Sequence, residues 1–269
     1  MGSAKAPSNK AKIARRVIEV LEFFDDSHRE ATVMDIVRRY NRPQSSTSEL
    51  LSSLVELGLL HKDPYSRAYA LTPRAGLLGV ASQTGAVRDG RLVQLIDRLV
   101  AQTGLAVGIF GLVGLNAQIV SWRAAARANS PATRGLYGGM QEPLYASAPG
   151  WLLLSTVAPQ RADGLVRRLN AEAPDDRKFS TSAMSAKLAQ CRELRYASGP
   201  AGFDSPAEAV TLLLPEATSS QPLAVAFVYG AEARVKPEGL LECLREGVRH
   251  CLPAAAPAAA EVEPLPNAA

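Results

Sequence analysis

Gln44-Ser45-Ser46-Thr47-Ser48 places a run of hydrogen-bonding side chains just after Arg38, Arg39 and Arg42, and Lys62 and Arg67 follow further along. Short polar groups on the first turn of a helix reach base edges in a DNA major groove, and a helix N-terminus favours phosphate. Arginines and lysines around such a turn neutralise the DNA backbone. Each arginine alone is an ordinary surface charge; the cluster makes the argument. Gln44, Ser45, Ser46, Thr47 and Ser48 are therefore the candidate groove residues. Arg38, Arg39, Arg42, Lys62 and Arg67 are the candidate phosphate contacts.

Such residues need a scaffold, and the flanking sequence provides one. Ile13, Val17, Ile18, Leu21 and Phe24 recur at helical spacing. Thr32 followed by Asp35 resembles a capping box opening a short second helix that carries Val33, Ile36 and Val37 inward. Asn41-Arg42-Pro43 ends that helix, because Asn tolerates left-handed backbone and Pro blocks continuation. Pro43 serves the first turn of a third helix, whose buried stripe is Leu50, Leu51, Leu54 and Leu57, closed by Gly58. Leu59 to Lys62, a turn over 63–67, and Ala68 to Leu71 read as a two-stranded wing. Helix, turn and polar-tipped helix is the arrangement of a helix-turn-helix.

Composition bounds the rest. The chain has 269 residues, 47% hydrophobic and 21% charged, with a formal net charge of +4 and a pI near 9.0. That excess permits an anionic partner without demanding one. Cys191, Cys243 and Cys251 have no metal-type spacing and read as buried structural thiols. The odd count, and a sequence without a signal-like start or long apolar run, predict a reduced cytoplasmic protein with no membrane association. His28, His61 and His250 are scattered, and no nucleophile elbow, Walker loop or metal cluster is present. Gly108, Gly111 and Gly114 mimic a glycine fingerprint at the wrong spacing, with no helix following. No enzyme, cofactor or metal site is predicted.

From Pro73 to Gln102 the pattern is helical, with breaks near Gly85 and Gly90. The apolar run from Leu92 to Val100 is the predicted dimer seam, with packing against its own C-terminal domain as the alternative. Strands are predicted over 105–113, 117–122, 210–214 and 223–229, and helices over 149–157, 160–171, 180–196 and 237–252. Gly135 to Ser147 is irregular. This is a mixed α/β domain.

Arg16 to Phe24, Asp35 to Arg39, Pro43 to Ser46 and Leu50 to Gly58 together resemble the winged-helix domain of the IclR family of bacterial transcription regulators. The likeness continues through Pro143 to Gly150 and, more degenerately, through Gly230 to Val235. The resemblance implies an α+β chain: an N-terminal winged helix-turn-helix, a linker helix, and a C-terminal α/β, GAF-like effector-binding domain. The expected divisions are an arm over 1–10, the DNA-binding domain over 11–72, the linker helix over 73–103, the effector domain over 104–252 and a tail over 253–269. The expected partners are a double-stranded DNA operator, a small-molecule effector and further copies of the chain, as a homodimer or homotetramer. By the same resemblance, Leu136, Tyr137, Leu144, Ala148, Trp151, Asp204, Thr211, Phe227 and Tyr229 match the segments that form the effector pocket.

Two departures from the family pattern stand out. Ser48-Glu49 replaces the usual basic or His-rich pair after the Ser-Thr. Glu49 repels phosphate but could accept from cytosine N4, and it favours the alternative of a sensor or scaffold that lost specific DNA binding. Phe227 and Tyr229 stand where small polar residues are usual, with Thr211 near a small or Cys position. With Tyr137 and Trp151 they predict an aromatic or largely apolar effector.

Overall fold

The computed structural model describes residues 9–25, 28–78, 85–125, 131–219 and 221–253. The arm expected over 1–10 and the tail over 253–269 fall almost wholly outside the described residues. The chain divides into two units, Met1–Gln83 and Thr84–Ala269.

In the first unit, α1 (Asn9–Phe23), α2 (Val33–Tyr40) and α3 (Gln44–Glu56) precede a hairpin of β1 (Leu60–Lys62) and β2 (Tyr69–Leu71), and then α4 (Pro73–Leu77). Local chemistry fixes each joint. The Thr32 N–H and hydroxyl both donate to the Asp35 carboxylate, at 2.8 and 2.7 Å, which holds that carboxyl below the usual carboxylate range. Asn41 takes the left-handed conformation at φ 49, ending α2. Gly58, at φ +70, does the same beyond α3, and the Leu59 N–H reaches back to the Leu54 carbonyl. At the wing tip the Asp63 carboxylate accepts from the N–H groups of Tyr65 and Ser66. Val20, Phe23, Ile36, Leu51, Leu54, Leu60 and Tyr69 form the core. Leu57 corrects the expected stripe: it is 62% exposed, and Thr47 is buried instead.

The second unit is built on one six-stranded antiparallel sheet in the order β5-β4-β3-β8-β7-β6. Its strands are β3 (Ala106–Val113), β4 (Asn116–Arg123), β5 (Gln141–Pro143), β6 (Tyr196–Gly202), β7 (Ser205–Leu213) and β8 (Leu223–Tyr229). The helices are α5 (Gly85–Arg88), α6 (Arg91–Thr103), α7 (Ala148–Ser155), α8 (Pro159–Glu172), α9 (Thr181–Leu194) and α10 (Pro237–Cys251). Side chains alternate across each strand, so each face has its own core. On one face Val107, Ile109, Val225 and Phe227 pack with Leu95 and Leu99 of α6 and with Leu240 and Leu244 of α10. On the other, Ala224, Ala226 and Val228 pack with Leu152 to Leu154 of α7 and with Leu188 and Cys191 of α9.

Two sequence expectations change. The strands β5 and β6 were not predicted. The interrupted helical stretch expected over 73–102 is α4, then α5 and α6, with residues 79–84 outside the described ones. The expected dimer seam is spent inside this unit: Leu92, Leu95, Ile96 and Leu99 are all buried against the sheet and α10. The stripe is packed at home, and within the run from Leu92 to Val100, Val93 is the large apolar side chain left exposed.

Candidate functional site

The chemistry-bearing residues of the first unit surround the N-terminal half of α3. Thr47 and Leu51 face the core, so the opposite side of the helix carries Ser45, Glu49 and Ser52, with Gln44 at the tip. Gln44, Ser45, Glu49 and Ser52 are exposed and Ser48 is half-buried. Two expected groove residues are otherwise engaged. Thr47 is buried and donates to the Pro43 carbonyl at 2.9 Å. The Ser46 hydroxyl donates to the same carbonyl and accepts from the Arg16 guanidinium, both at 3.3 Å.

Arg38 and Arg39 are exposed on the last turn of α2. Arg67 is exposed at the wing tip, in left-handed backbone, and the Lys62 ammonium lies 5.3 Å from the Tyr69 ring centre. Arg42 differs. Its guanidinium donates to both carboxylate oxygens of Glu19 on α1, at 3.0 and 3.1 Å, so it ties two helices together. Sequence reasoning missed Ser52 and Arg16. Ser52 was legible as Ser45 plus seven on a helix; Arg16 becomes visible only once α1 is placed against α3.

In the second unit the structure separates the expected pocket residues into groups. Leu136, Leu144 and Ala148 are buried in the core on the α7 face. Trp151 packs against that core, its indole N–H donating to the Tyr145 carbonyl at 2.7 Å and Lys187 lying 3.5 Å from its ring centre. Thr211 pairs across the ladder with Ala226, which belongs to the same core, so Thr211 is on this face too. It is 0% exposed, and its hydroxyl oxygen has no hydrogen-bond partner. Tyr137 is 56% exposed, and Asp204 stands at the surface in an ion pair with Arg177 at 3.1 Å.

Phe227 and Tyr229 are not part of this group. They lie on the α6 and α10 face, one residue out of phase with Ala226 and Val228, and pack as ordinary core. The sheet stands between them and Thr211. The aromatic surface on the α7 face is instead supplied by Phe110 and Phe203, whose ring centres are 6.0 Å apart.

Glu142 is the residue of this site that the sequence did not reveal. It lies on edge strand β5, yet its carboxylate accepts from the Phe203 N–H at 2.6 Å, in the turn between β6 and β7. The sheet therefore curls until its two edges are bridged. Gly202 makes room: a Cβ there would come within 2.5 Å of the Glu142 carboxyl carbon. The second carboxyl oxygen is buried without a partner. Burial pushes this carboxyl above the ordinary range, opposed by the bond from Phe203.

A raised value means that the fold favours the protonated acid. The stability this supplies is present at acid pH and is lost as pH rises through the raised value. Glu142→Gln removes the charge and keeps an acceptor for Phe203. It is expected to raise Tm near neutrality by roughly 2–4 °C, the effect of about 1 kcal/mol in a domain of this size. The gap should close as the pH falls through the acid range. A gap that stays constant from about pH 8 to about pH 4, or a variant melting lower near neutrality, would refute this account.

No group of three or more His, Cys, Asp or Glu side chains suited to a metal occurs among the described residues. No helix among them is long and apolar enough to cross a membrane.

Residues 14–64 match the family model of the IclR helix-turn-helix domain. The chain is similar in fold to the IclR of Thermotoga maritima, with a TM-score of 0.56 and 15% identity over 89% of this chain and 97% of that one. An IclR homolog from Microbacterium hydrocarbonoxydans, complexed with 4-hydroxybenzoate, gives a TM-score of 0.55 at 19% identity, again over 89% of this chain and 97% of that one. An IclR-type regulator from Alicyclobacillus acidocaldarius gives 0.55 at 18% identity over 91% of this chain and 98% of that one. Comparison with curated proteins finds no match.

Proposed function

We propose, from the premise that this chain is an IclR-type transcriptional regulator with a C-terminal effector-binding domain, that α3 reads an operator through Gln44, Ser45, Ser48 and Ser52 while a small molecule on the α7 face of the sheet biases that binding. Arg38, Arg39, Lys62 and Arg67 contact phosphate. Glu49 sits in the reading face and selects against bases that present acceptors to it. Arg42 works indirectly, holding α2 to α1 through Glu19. Two copies on a palindrome, about one helical turn of roughly 34 Å apart, supply the surface that specific binding needs.

The observation that carries the effector reading is the Thr211 hydroxyl, buried without a partner among small and aromatic apolar side chains. A buried hydroxyl left unsatisfied costs stability, and a polar group on a bound ligand repairs that. Phe110 and Phe203 on the same face favour an aromatic body. An aromatic carboxylic acid is therefore the preferred effector class, and 4-hydroxybenzoate, the ligand of the Microbacterium homolog, is its natural first probe. Its leverage on DNA is set by its differential affinity for the two arrangements of the DNA-binding heads.

Footprinting on the upstream DNA of its own gene, with and without aromatic acids and aliphatic keto acids, tests both halves. Exclusive tight binding of the small aliphatic acids would overturn the aromatic reading. Weak, sequence-independent DNA binding would favour a sensor that has lost its operator. Arg38→Ala, Arg39→Ala and Arg67→Ala are each expected to reduce the salt slope of operator binding by about 2, one contact from each of the two copies. Arg42→Ala is expected to weaken binding with the slope retained, because it removes a positioning contact. An unchanged slope in the first three removes them from the phosphate set.

A further inference from the structure

The described residues of the second unit line a half-open cavity of about 300 Å³ at the C-terminal end of α7. Residue 155 ends α7 and residue 148 begins it, so this cavity and the Ala148 end are separated by the length of the helix, about 10 Å at 1.5 Å per residue. Leu213 of its lining lies two positions along β7 from Thr211 on the same face, so the cavity adjoins the Thr211 site and differs from it in its charged rim.

Its walls are held firmly. Arg192 of α9 donates to the Ser155 and Val157 carbonyls, at 3.1 and 3.3 Å, binding the end of α9 to the turn after α7. Val157, Leu213 and the buried Cys191 give it an apolar side. Arg195 and Glu216 give it two opposite charges. The Arg195 backbone is pinned, its N–H on the Cys191 carbonyl at 2.9 Å and its carbonyl accepting from the Leu213 N–H at 3.1 Å. The Arg195 and Glu216 side chains line one cavity without forming an ion pair with each other. The end of α8 adds its own polarity: Pro159 opens that 14-residue helix at the cavity, so a positive helix end also faces it.

We propose that this cavity is a second ligand site, for a zwitterion with a small apolar side chain, that is, a free α-amino acid. The ligand carboxylate pairs with Arg195 under the N-terminal end of α8. The ligand ammonium pairs with Glu216. The side chain packs on Val157 and Leu213. The volume is at the small end of ligand cavities, which suits an aliphatic amino acid and excludes a dinucleotide or a peptide of any length. Neither charge alone defines the class; an arginine and a carboxylate lining the same apolar-sided cavity do.

Isothermal titration of the full chain with L-valine, isobutyrate and isobutylamine tests this. L-Valine is expected to bind, and each singly charged analogue to bind at least tenfold more weakly. Arg195→Gln and Glu216→Gln are each expected to weaken L-valine binding at least tenfold. Arg195→Lys keeps the charge and should retain most of it, which separates loss of the ion pair from loss of fold. Equal binding of the three probes, no binding of L-valine at millimolar concentration, or full binding by either neutral variant overturns the proposal.

Discussion

Gly150→Ala is expected to disable the C-terminal unit, lowering its Tm by roughly 6–12 °C, which corresponds to about 3 kcal/mol at this size. Gly150 stands on the first turn of α7, where its N–H donates to the capping Ser147 hydroxyl at 3.3 Å. A Cβ there would overlap the Leu144 carbonyl, 2.9 Å from its carbon and 3.0 Å from its Cα. Those are backbone atoms of the segment that follows β5, so no rotamer change relieves the clash. Either α7 lifts from the sheet or that segment shifts, and both expose the core around Leu144 and Leu152. Gly164→Ala is the matched control. It lies in α8 with nothing within 4 Å of a new Cβ, so better helix propensity should raise Tm slightly. Differential scanning calorimetry of both variants decides the matter; equal effects would mean that α7 does not pack against Leu144 as described.

Thr211→Val should move stability and ligand binding in opposite directions. The substitution keeps the shape and removes a buried hydroxyl that lacks a partner, so the ligand-free protein is expected to gain about 1 kcal/mol. The same change removes the polar group offered to an effector on the α7 face. Affinity for an aromatic acid is expected to fall about tenfold, the equivalent of one hydrogen bond of about 1.4 kcal/mol. Melting curves and titration of the same preparation read both effects. A variant that binds as well as the parent would place the effector away from Thr211, and a destabilised variant would show that the hydroxyl is satisfied in solution.

The first unit was almost fully legible in the sequence because each of its joints has a local cause. Thr32 with Asp35, Asn41, Pro43, Gly58 and Asp63 act on backbone within a few residues of themselves, and the structure uses all of them as joints. The exceptions are Leu57, Ile13 and Ile18, whose helical spacing placed them on buried faces although all three are exposed. The second unit was legible where strands are rich in β-branched and aromatic residues, as in β3 and β8. β6 reads Tyr-Ala-Ser-Gly-Pro-Ala-Gly, a composition that argues against a strand, and it exists because an edge position tolerates Pro200. β5 is too short to show any period. Both strands are set by partners that are distant in sequence.

The candidate effector site failed to be legible for a related reason. Alternation in β8 is plain from the sequence, but its phase relative to α7 is a tertiary fact. Phe227 and Tyr229 fell on the wrong side by one residue, and with them went the aromatic argument as first framed. Glu142 was invisible because its partner, Phe203, lies at the other edge of a curled sheet.

That alternation has a consequence for how such a sheet can diversify. On β8 the odd positions Val225, Phe227 and Tyr229 grip α6 and α10, while the even positions Ala224, Ala226 and Val228 look toward α7. One strand thus carries two interleaved inventories that answer to different demands. The even positions hold α7 and α9 and face the proposed ligand site, while the odd positions hold α6 and α10. Both sets are buried, so a library at 224, 226 and 228 must keep the small volumes that α7 needs, while one at 225, 227 and 229 acts on the packing of α6 and α10.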